Sequence, residues 1–318
     1  MSIDRKLFFF LLILHLLIVL ILLNKEKILF GSNLAESGLS YLPSKDKHHI
    51  FLIWKGSSFP DIYLKALTTV IKFHPKSEIL LFSNDLNESF FEDLNLIYKN
   101  LFIVRYNLTQ MVKNKPGYNF VEKANRILNG EKSNLTLTKV HLSDFLRLFL
   151  VYNYGGLYLD TDMFPLRNMQ SFKNTIGVDD QYKYVCGKNI YSYKNVSNFG
   201  CVCNCLFSFE KGHEFLKSAL DNFGKWWEEK QGYGPGGAIM LTELLANHLD
   251  KVNVIPNEYW ICLKYGARLL KLANEGDPDI EYTLKKCYVV HLFGAGAASF
   301  SLNNFDQLFI GKIYKKLI

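Results

Sequence analysis

The chain has 318 residues, of which 49% are hydrophobic, 21% charged and 15% aromatic, a globular composition that excludes disordered and fibrous classes. Lys+Arg 37 against Asp+Glu 30 give a formal charge of +7. The basic residues are scattered rather than gathered into a stripe, so nucleic acid is not an expected partner.

Leu7 to Leu23 is apolar except for His15, with Arg5 and Lys6 before it and Lys25, Glu26 and Lys27 after it. At ~1.5 Å rise per residue the run reaches roughly 25 Å, the short limit for a bilayer-spanning helix. Residues 1–6 are expected as a cytoplasmic tail, 7–23 as a transmembrane signal-anchor and 24–47, with Gly31, Gly38 and Pro43, as a stem. A cleaved signal peptide is the rival reading; its apolar core is usually about 7–15 residues, and no small-x-small site follows closely here. Either reading places the remainder in the secretory lumen. The sequons at Asn87, Asn107, Asn134 and Asn195 and all six cysteines lie beyond the apolar run, as that compartment requires. Disulfides are favoured over zinc, because Cys201-x-Cys203-x-Cys205 lacks the C-x2-C spacing and a matching second pair.

Residues 48–318 read as one luminal catalytic domain. Ile50 to Trp54 and Ile79 to Phe82 are short apolar runs with a helical stretch from Tyr63 to Phe73 between them. A strand, helix, strand order predicts a parallel pair with a right-handed crossover, the opening of an α/β sheet.

The segment from Leu142 to Asp162 carries the chemistry. Leu142, Phe145, Leu146, Phe149 and Tyr152 recur at helical spacing, Asp144 and Arg147 share another face, and Gly155-Gly156 ends the helix. Leu157-Tyr158-Leu159 then runs as a strand into Asp160-Thr161-Asp162, and strand alternation puts the two carboxylates on one side. Two adjacent carboxylates repel unless a cation lies between them, and hard oxygen ligands at a strand end imply Mg²⁺ or Mn²⁺ with positions left for a phosphate-bearing substrate.

A bare D-x-D is common in turns, but the ordered composite Ser143-Asp144-x-x-Arg147, then Gly155-Gly156-x-Tyr158-x-Asp160-x-Asp162, is specific. These residues resemble the α1,4-glycosyltransferase family of lactosylceramide 4-α-galactosyltransferase and α1,4-N-acetylglucosaminyltransferase, part of the wider DXD sugar-transferase group. The likeness takes in Ile53-Trp54, Ser83-Asn84, Asn204 to Leu216, Gly234-Pro235 and Val290-His291-Leu292, or roughly residues 48 to 295. The chain departs from the family at Phe293 and Gly294, where a Trp and an Asn are usual, and at Gly236-Gly237 on the acceptor side.

The resemblance implies a GT-A type fold, a Rossmann-like mixed sheet flanked by helices behind a Golgi membrane helix. It implies a retaining transfer of galactose or N-acetylglucosamine from a UDP-sugar to a terminal β-galactoside of a glycolipid or glycoprotein. By the same resemblance Asp160 and Asp162 hold the Mn²⁺ or Mg²⁺ and His291 completes its shell. Asp144 and Arg147 contact the donor sugar and diphosphate, Gly155-Gly156 let backbone pass close to the nucleotide, and Tyr158 and Trp54 lie near its base or ribose. Each has a plainer alternative: core packing for Trp54, a satisfied buried histidine for His291, a helix C-cap for the glycines. Glu210 and His213 read as a turn entering a helix and stay outside the site. Phe223, Trp226, Trp227 and Tyr233 suit either a sugar-stacking surface, which mildly favours a glycolipid acceptor, or the core. Two other function classes compete: a haloacid-dehalogenase-type phosphatase with Asp160 as nucleophile, disfavoured by the mid-chain position and by Phe164, and a non-catalytic glycan-binding protein of transferase fold.

Overall fold

The computed structural model describes residues 37–133, 135, 139–179, 191–193, 196–199, 201–229, 235–261, 271–274, 276–292 and 302–318. The expected membrane helix at 7–23, the sequons Asn134 and Asn195, Cys186, Cys262, Tyr233, Phe293 and Gly294 lie outside these residues. Among the described residues no helix is long and apolar enough to cross a membrane.

The strands, in chain order, are β1 (His49–Ile53), β2 (Glu78–Phe82), β3 (Leu101–Val104), β4 (Gly156–Leu159), β5 (Met163–Pro165), β6 (Thr175–Asp179), β7 (Tyr191–Tyr193), β8 (Val196–Phe199), β9 (Cys201–Phe209), β10 (Asn253–Ile255) and β11 (Val289–His291). Seven of them form one mixed sheet in the order β10-β6-β9-β4-β1-β2-β3. The expected parallel pair is present as β1 and β2, with Ile50 opposite Ile79 and Leu52 opposite Leu81, and the helix Asp61–Phe73 crosses between them. β9 alone runs against its neighbours β4 and β6. Every residue of β1 and β2 is buried, which is why both read as unbroken apolar runs rather than alternating ones. Alternation decides instead which layer each side chain enters. Ile50, Leu52, Ile79 and Leu81 join one core with the Asp61–Phe73 helix, and Phe51, Leu80, Phe82 and Tyr158 join another with the helices Lys139–Tyr154 and Glu214–Glu229.

The Lys139–Tyr154 helix is more deeply enclosed than its one-face pattern predicts. Leu148, Leu150 and Val151 are buried along with Phe145, Leu146 and Phe149, because the helix lies between the sheet and the Glu214–Glu229 helix. Phe223 and Trp227 of that second helix pack on Phe120, with ring centroids 4.7 and 5.2 Å away. Both are interior, and only Trp226 is half-buried; the sugar-stacking surface suggested for Phe223 and Trp227 is therefore absent. Cys203 and Cys205 are bridged to each other, and Cys201 and Cys287 each take part in a disulfide, in keeping with an oxidising compartment. Asn87 and Asn107 are exposed and cap helices through Oδ1, which accepts from Ser89 N–H and Gln110 N–H.

Before β1, residues 38–44 run along the open edge of β3. Asn107 N–H donates to the Gly38 carbonyl at 2.7 Å, Ser40 N–H donates to the Arg105 carbonyl at 2.9 Å, and Tyr41 stacks on Phe102 at 4.4 Å. This covers backbone groups that an edge strand would otherwise expose. The segment ends at Glu78, buried at the amino end of β2, whose carboxylate accepts from Tyr41 Oη at 2.9 Å and from Ser44 N–H at 3.0 Å.

Candidate active site

β1, β2 and β3 lie to one side of β4, and β9, β6 and β10 to the other. In open α/β sheets, ligands bind outside the carboxyl ends of strands where the order of travel reverses. Asp160 stands at that position, immediately after β4. Strand alternation does not align it with Asp162, however. Met163 N–H donates back to the Asp160 carbonyl at 3.2 Å, so the chain turns through Thr161 and delivers both carboxylates to one place. β5 and β11 then pair antiparallel with Met163 opposite His291, which brings His291 Nε2 to 3.1 Å from Asp162 Oδ1.

Asp160, Asp162 and His291 each offer one ligand atom, and the three atoms lie within 4.8 Å of one another. Asp162 and His291 are buried, whereas the Asp160 side chain keeps 27% of its surface open. Two carboxylates and an imidazole make a predominantly hard donor set with a solvent-facing side, which fits a divalent ion such as Mn²⁺ with open positions. Burial raises the pKa of Asp160, and the Arg147 charge pulls it back.

Arg147 is the hub of the polar network. Its Nη1 lies 3.2 Å from Asp160 Oδ1 and donates to the Asn204 carbonyl at 2.9 Å. Its Nη2 lies 3.5 Å from Asp144 Oδ1 and donates to Ser143 Oγ at 3.2 Å. The guanidinium stacks over the Tyr158 ring at 4.7 Å, and Tyr158 Oη donates to Asp160 Oδ1 at 2.5 Å. Asp144 is buried, which raises its pKa against the opposing pull of Arg147, and it accepts from Asn204 Nδ2 at 2.9 Å. The pair expected as a local contact on one helix is thus a buried one, built into the support of the D-x-D turn.

The structure brings Asp144, Arg147, Tyr158, Asp160, Asp162 and His291 together. Trp54 stands at the edge of this group. It follows β1, donates from Nε1 to the Ser58 carbonyl at 2.9 Å and packs on Tyr63 at 5.0 Å, and Tyr63 in turn has its pKa raised by burial and by the Asp162 charge. Along the same rim a cleft of about 340 Å³ is lined by Lys55, Asn84, Asp85, Tyr106, Leu142 and Leu146. Gly155 and Gly156 are not part of the group; they sit at the amino end of β4. There a Cβ on Gly156 (φ +120°) would lie 2.4 Å from the His49 carbonyl oxygen, and one on Gly155 (φ +73°) 2.8 Å from Lys211 N. Glu210 is exposed and precedes a turn into the next helix, outside the site together with His213.

Sequence reasoning passed over Asn204 as a site residue and treated Gly237 only as a departure. A Cβ on Gly237 would meet Asn204 Nδ2 at 2.1 Å and Asp144 Oδ2 at 3.3 Å. In the sequence Asn204 is merely flanked by two cysteines and Gly237 belongs to a glycine pair, and neither residue type announces chemistry by itself.

Residues 60–183 match the family model described as "Glycosyltransferase sugar-binding region containing DXD motif". An uncharacterized protein of Arabidopsis thaliana is 27% identical over 64% of this chain and 29% of its own length. Lactosylceramide 4-alpha-galactosyltransferase of Mus musculus is 25% identical over 51% of this chain and 40% of its own. Alpha-1,4-N-acetylglucosaminyltransferase of Homo sapiens is 20% identical over 66% and 57% respectively. The chain therefore spans well under two thirds of the length of the curated relatives it matches. Among solved structures, the PaToxG glycosyltransferase aligns over 92% of this chain and 93% of its own at a TM-score of 0.45 and 17% identity.

Proposed function

We propose that this chain, whose residues 60–183 match the model of a glycosyltransferase sugar-binding region containing a DXD motif, is a metal-dependent retaining glycosyltransferase of GT-A type. It moves galactose, or N-acetylglucosamine, from the UDP-sugar in α1,4 linkage to a terminal β-galactoside of a glycolipid or glycoprotein in the Golgi lumen. The observation that carries this reading is the cluster of Asp160, Asp162 and His291 at the carboxyl end of β4, braced by Arg147. Likeness to the galactosyl and N-acetylglucosaminyl transferases supports the choice of donors and linkage.

Those three side chains would hold a divalent cation, which would supply positive charge to the diphosphate leaving group. The protein's own part is orientation. Arg147 and Tyr158 fix the Asp160 carboxylate from two sides and favour its charged form against the burial that raises its pKa. His291 Nε2, 3.1 Å from Asp162 Oδ1, orients that carboxylate. The cleft beside Lys55, Asn84 and Asp85 offers donors and acceptors for the nucleoside end of the donor, on the same rim as the acidic turn. Retention follows if the leaving phosphate itself takes the acceptor proton on the front face, so no protein nucleophile is required.

A donor-by-acceptor screen with purified protein, with the product linkage determined by NMR, tests the reading. An α-linked product from UDP-galactose or UDP-N-acetylglucosamine is the expected result. A β-linked product overturns retention, and hydrolysis of the donor without transfer to any glycoside overturns the acceptor assignment.

A further inference from the structure

Between β6 and β9 the register slips. Ile176 pairs with Phe207, but Val178 pairs with Val202, so Cys203 to Leu206 fall out of step with β6 while Leu206 still faces Leu159 of β4. Bulges next to active sites re-aim side chains that a regular ladder would hold elsewhere. This one is closed by the Cys203–Cys205 bridge, and the residue between the two cysteines is Asn204. Its carbonyl accepts from Arg147 Nη1 at 2.9 Å while its side-chain amide donates to Asp144 Oδ1 at 2.9 Å. One residue thereby engages both members of the buried pair through opposite polarities. The next carbonyl, that of Cys205, accepts from Asp160 N–H at 2.9 Å, so the same bulge holds the backbone at the start of the acidic turn. Gly237 completes the arrangement, since any side chain there would occupy the space of the Asn204 amide.

We propose that Asn204, presented by the disulfide-closed bulge of β9, is a positioning residue that fixes Asp144 and Arg147 and through them the Asp160 carboxylate. The inference rests on the transferase reading of the site for its catalytic consequence and on geometry alone for the contact. A hydrogen bond to a charged group constrains both distance and direction, and small displacements of a catalytic constellation cost turnover more than affinity. Asn204 need not touch substrate for its loss to be felt.

Two measurements on the full chain test this. In Asn204→Ala, kcat for transfer from the UDP-sugar is expected to fall about ten- to a hundredfold with the donor KM changed less than about threefold. A kcat within about twofold of wild type overturns the positioning role, as does a loss that appears wholly in KM. The second measurement needs no turnover: a double-mutant cycle on thermal midpoint with Asn204→Ala, Asp144→Ala and the double variant. Non-additive shifts support the contact, and strictly additive ones overturn it. If wild type transfers from no UDP-sugar while the cycle is non-additive, the transferase chemistry is refuted and the contact stands. An active wild type with an additive cycle refutes the Asn204 inference alone.

Discussion

Asp162 and His291, far apart in sequence, are joined twice: Nε2 of the histidine lies 3.1 Å from the carboxylate, and Leu292 N–H donates to the Asp162 carbonyl at 3.1 Å. The backbone bond fixes the distance between the two segments, so the side-chain contact is preset by β5 and β11 rather than left to chance. Donors prepared in this way would lose little freedom on taking up a cation.

The first prediction concerns that cation. Asp160→Ala and Asp162→Ala should each lower transfer by at least about a hundredfold, abolish Mn²⁺ binding followed by electron paramagnetic resonance, and leave the thermal midpoint close to wild type. A chelator should stop wild-type turnover and added Mn²⁺ restore it. Undiminished turnover in either variant would refute the metal assignment.

Arg147 is the second. Lys in its place keeps the charge but cannot reach Asp160, Asp144 and the Asn204 carbonyl together while lying flat on Tyr158. Arg147→Lys should therefore reduce kcat markedly with modest loss of stability. Arg147→Ala strands the buried Asp144 beside the part-buried Asp160 and should cost about 3 kcal/mol in urea unfolding. Equal stability of the two variants would show that the charge network is not what supports the turn.

How far the site could be read in advance follows from where its information lies. Asp144, Arg147, Tyr158, Asp160 and Asp162 come from one stretch in which helix, turn and strand have recognisable signals, and the parallel β1–β2 pair is likewise written in local apolar runs. Asn204 arrives by an irregularity in a strand pairing, and Gly237 by close packing of a distant segment. Neither a bulge nor a steric vacancy has a periodicity, so neither is visible without coordinates. Gly155-Gly156 show the converse: a conspicuous motif whose φ values and near contacts are explained by the amino end of the sheet.

The third prediction separates those two kinds of glycine. Gly156→Ala combines a positive φ with a close backbone oxygen, so it should lower stability by more than about 1 kcal/mol while the folded fraction keeps its kcat. Gly237→Ala meets the Asn204 amide instead and should depress kcat with a smaller change in thermal midpoint. Calorimetry and initial rates on both proteins decide the matter, and identical behaviour of the two would contradict it.

The fourth concerns acid. Burial first, and then the neighbouring His74 and His49, lower the His48 pKa from 6.5 to about 4. The unfolded chain takes up a proton the fold refuses, so stability should decline as pH falls from 6.5 towards 4. At Glu78 burial alone would raise the pKa, but hydrogen bonds from Ser44 and Tyr41 outweigh it and hold the carboxyl below 4.5. Its contribution is present above 4.5 and lost on acidification through its lowered value. Urea midpoints from about pH 3 to 8 should show both limbs. His48→Gln should flatten the upper limb and Glu78→Gln the lower, with Glu78→Gln also less stable at neutral pH. An unaltered upper limb in His48→Gln would reject the assignment.

The segment at 38–44 does more than cover an edge. It travels from the Asn107 end of β3 down to Glu78, so it begins on the rim that carries the Tyr106-lined cleft and the acidic turn. Its first residues thus stand beside the cleft while its last close the opposite end of the sheet, so one short run of chain spans the sheet edge from end to end.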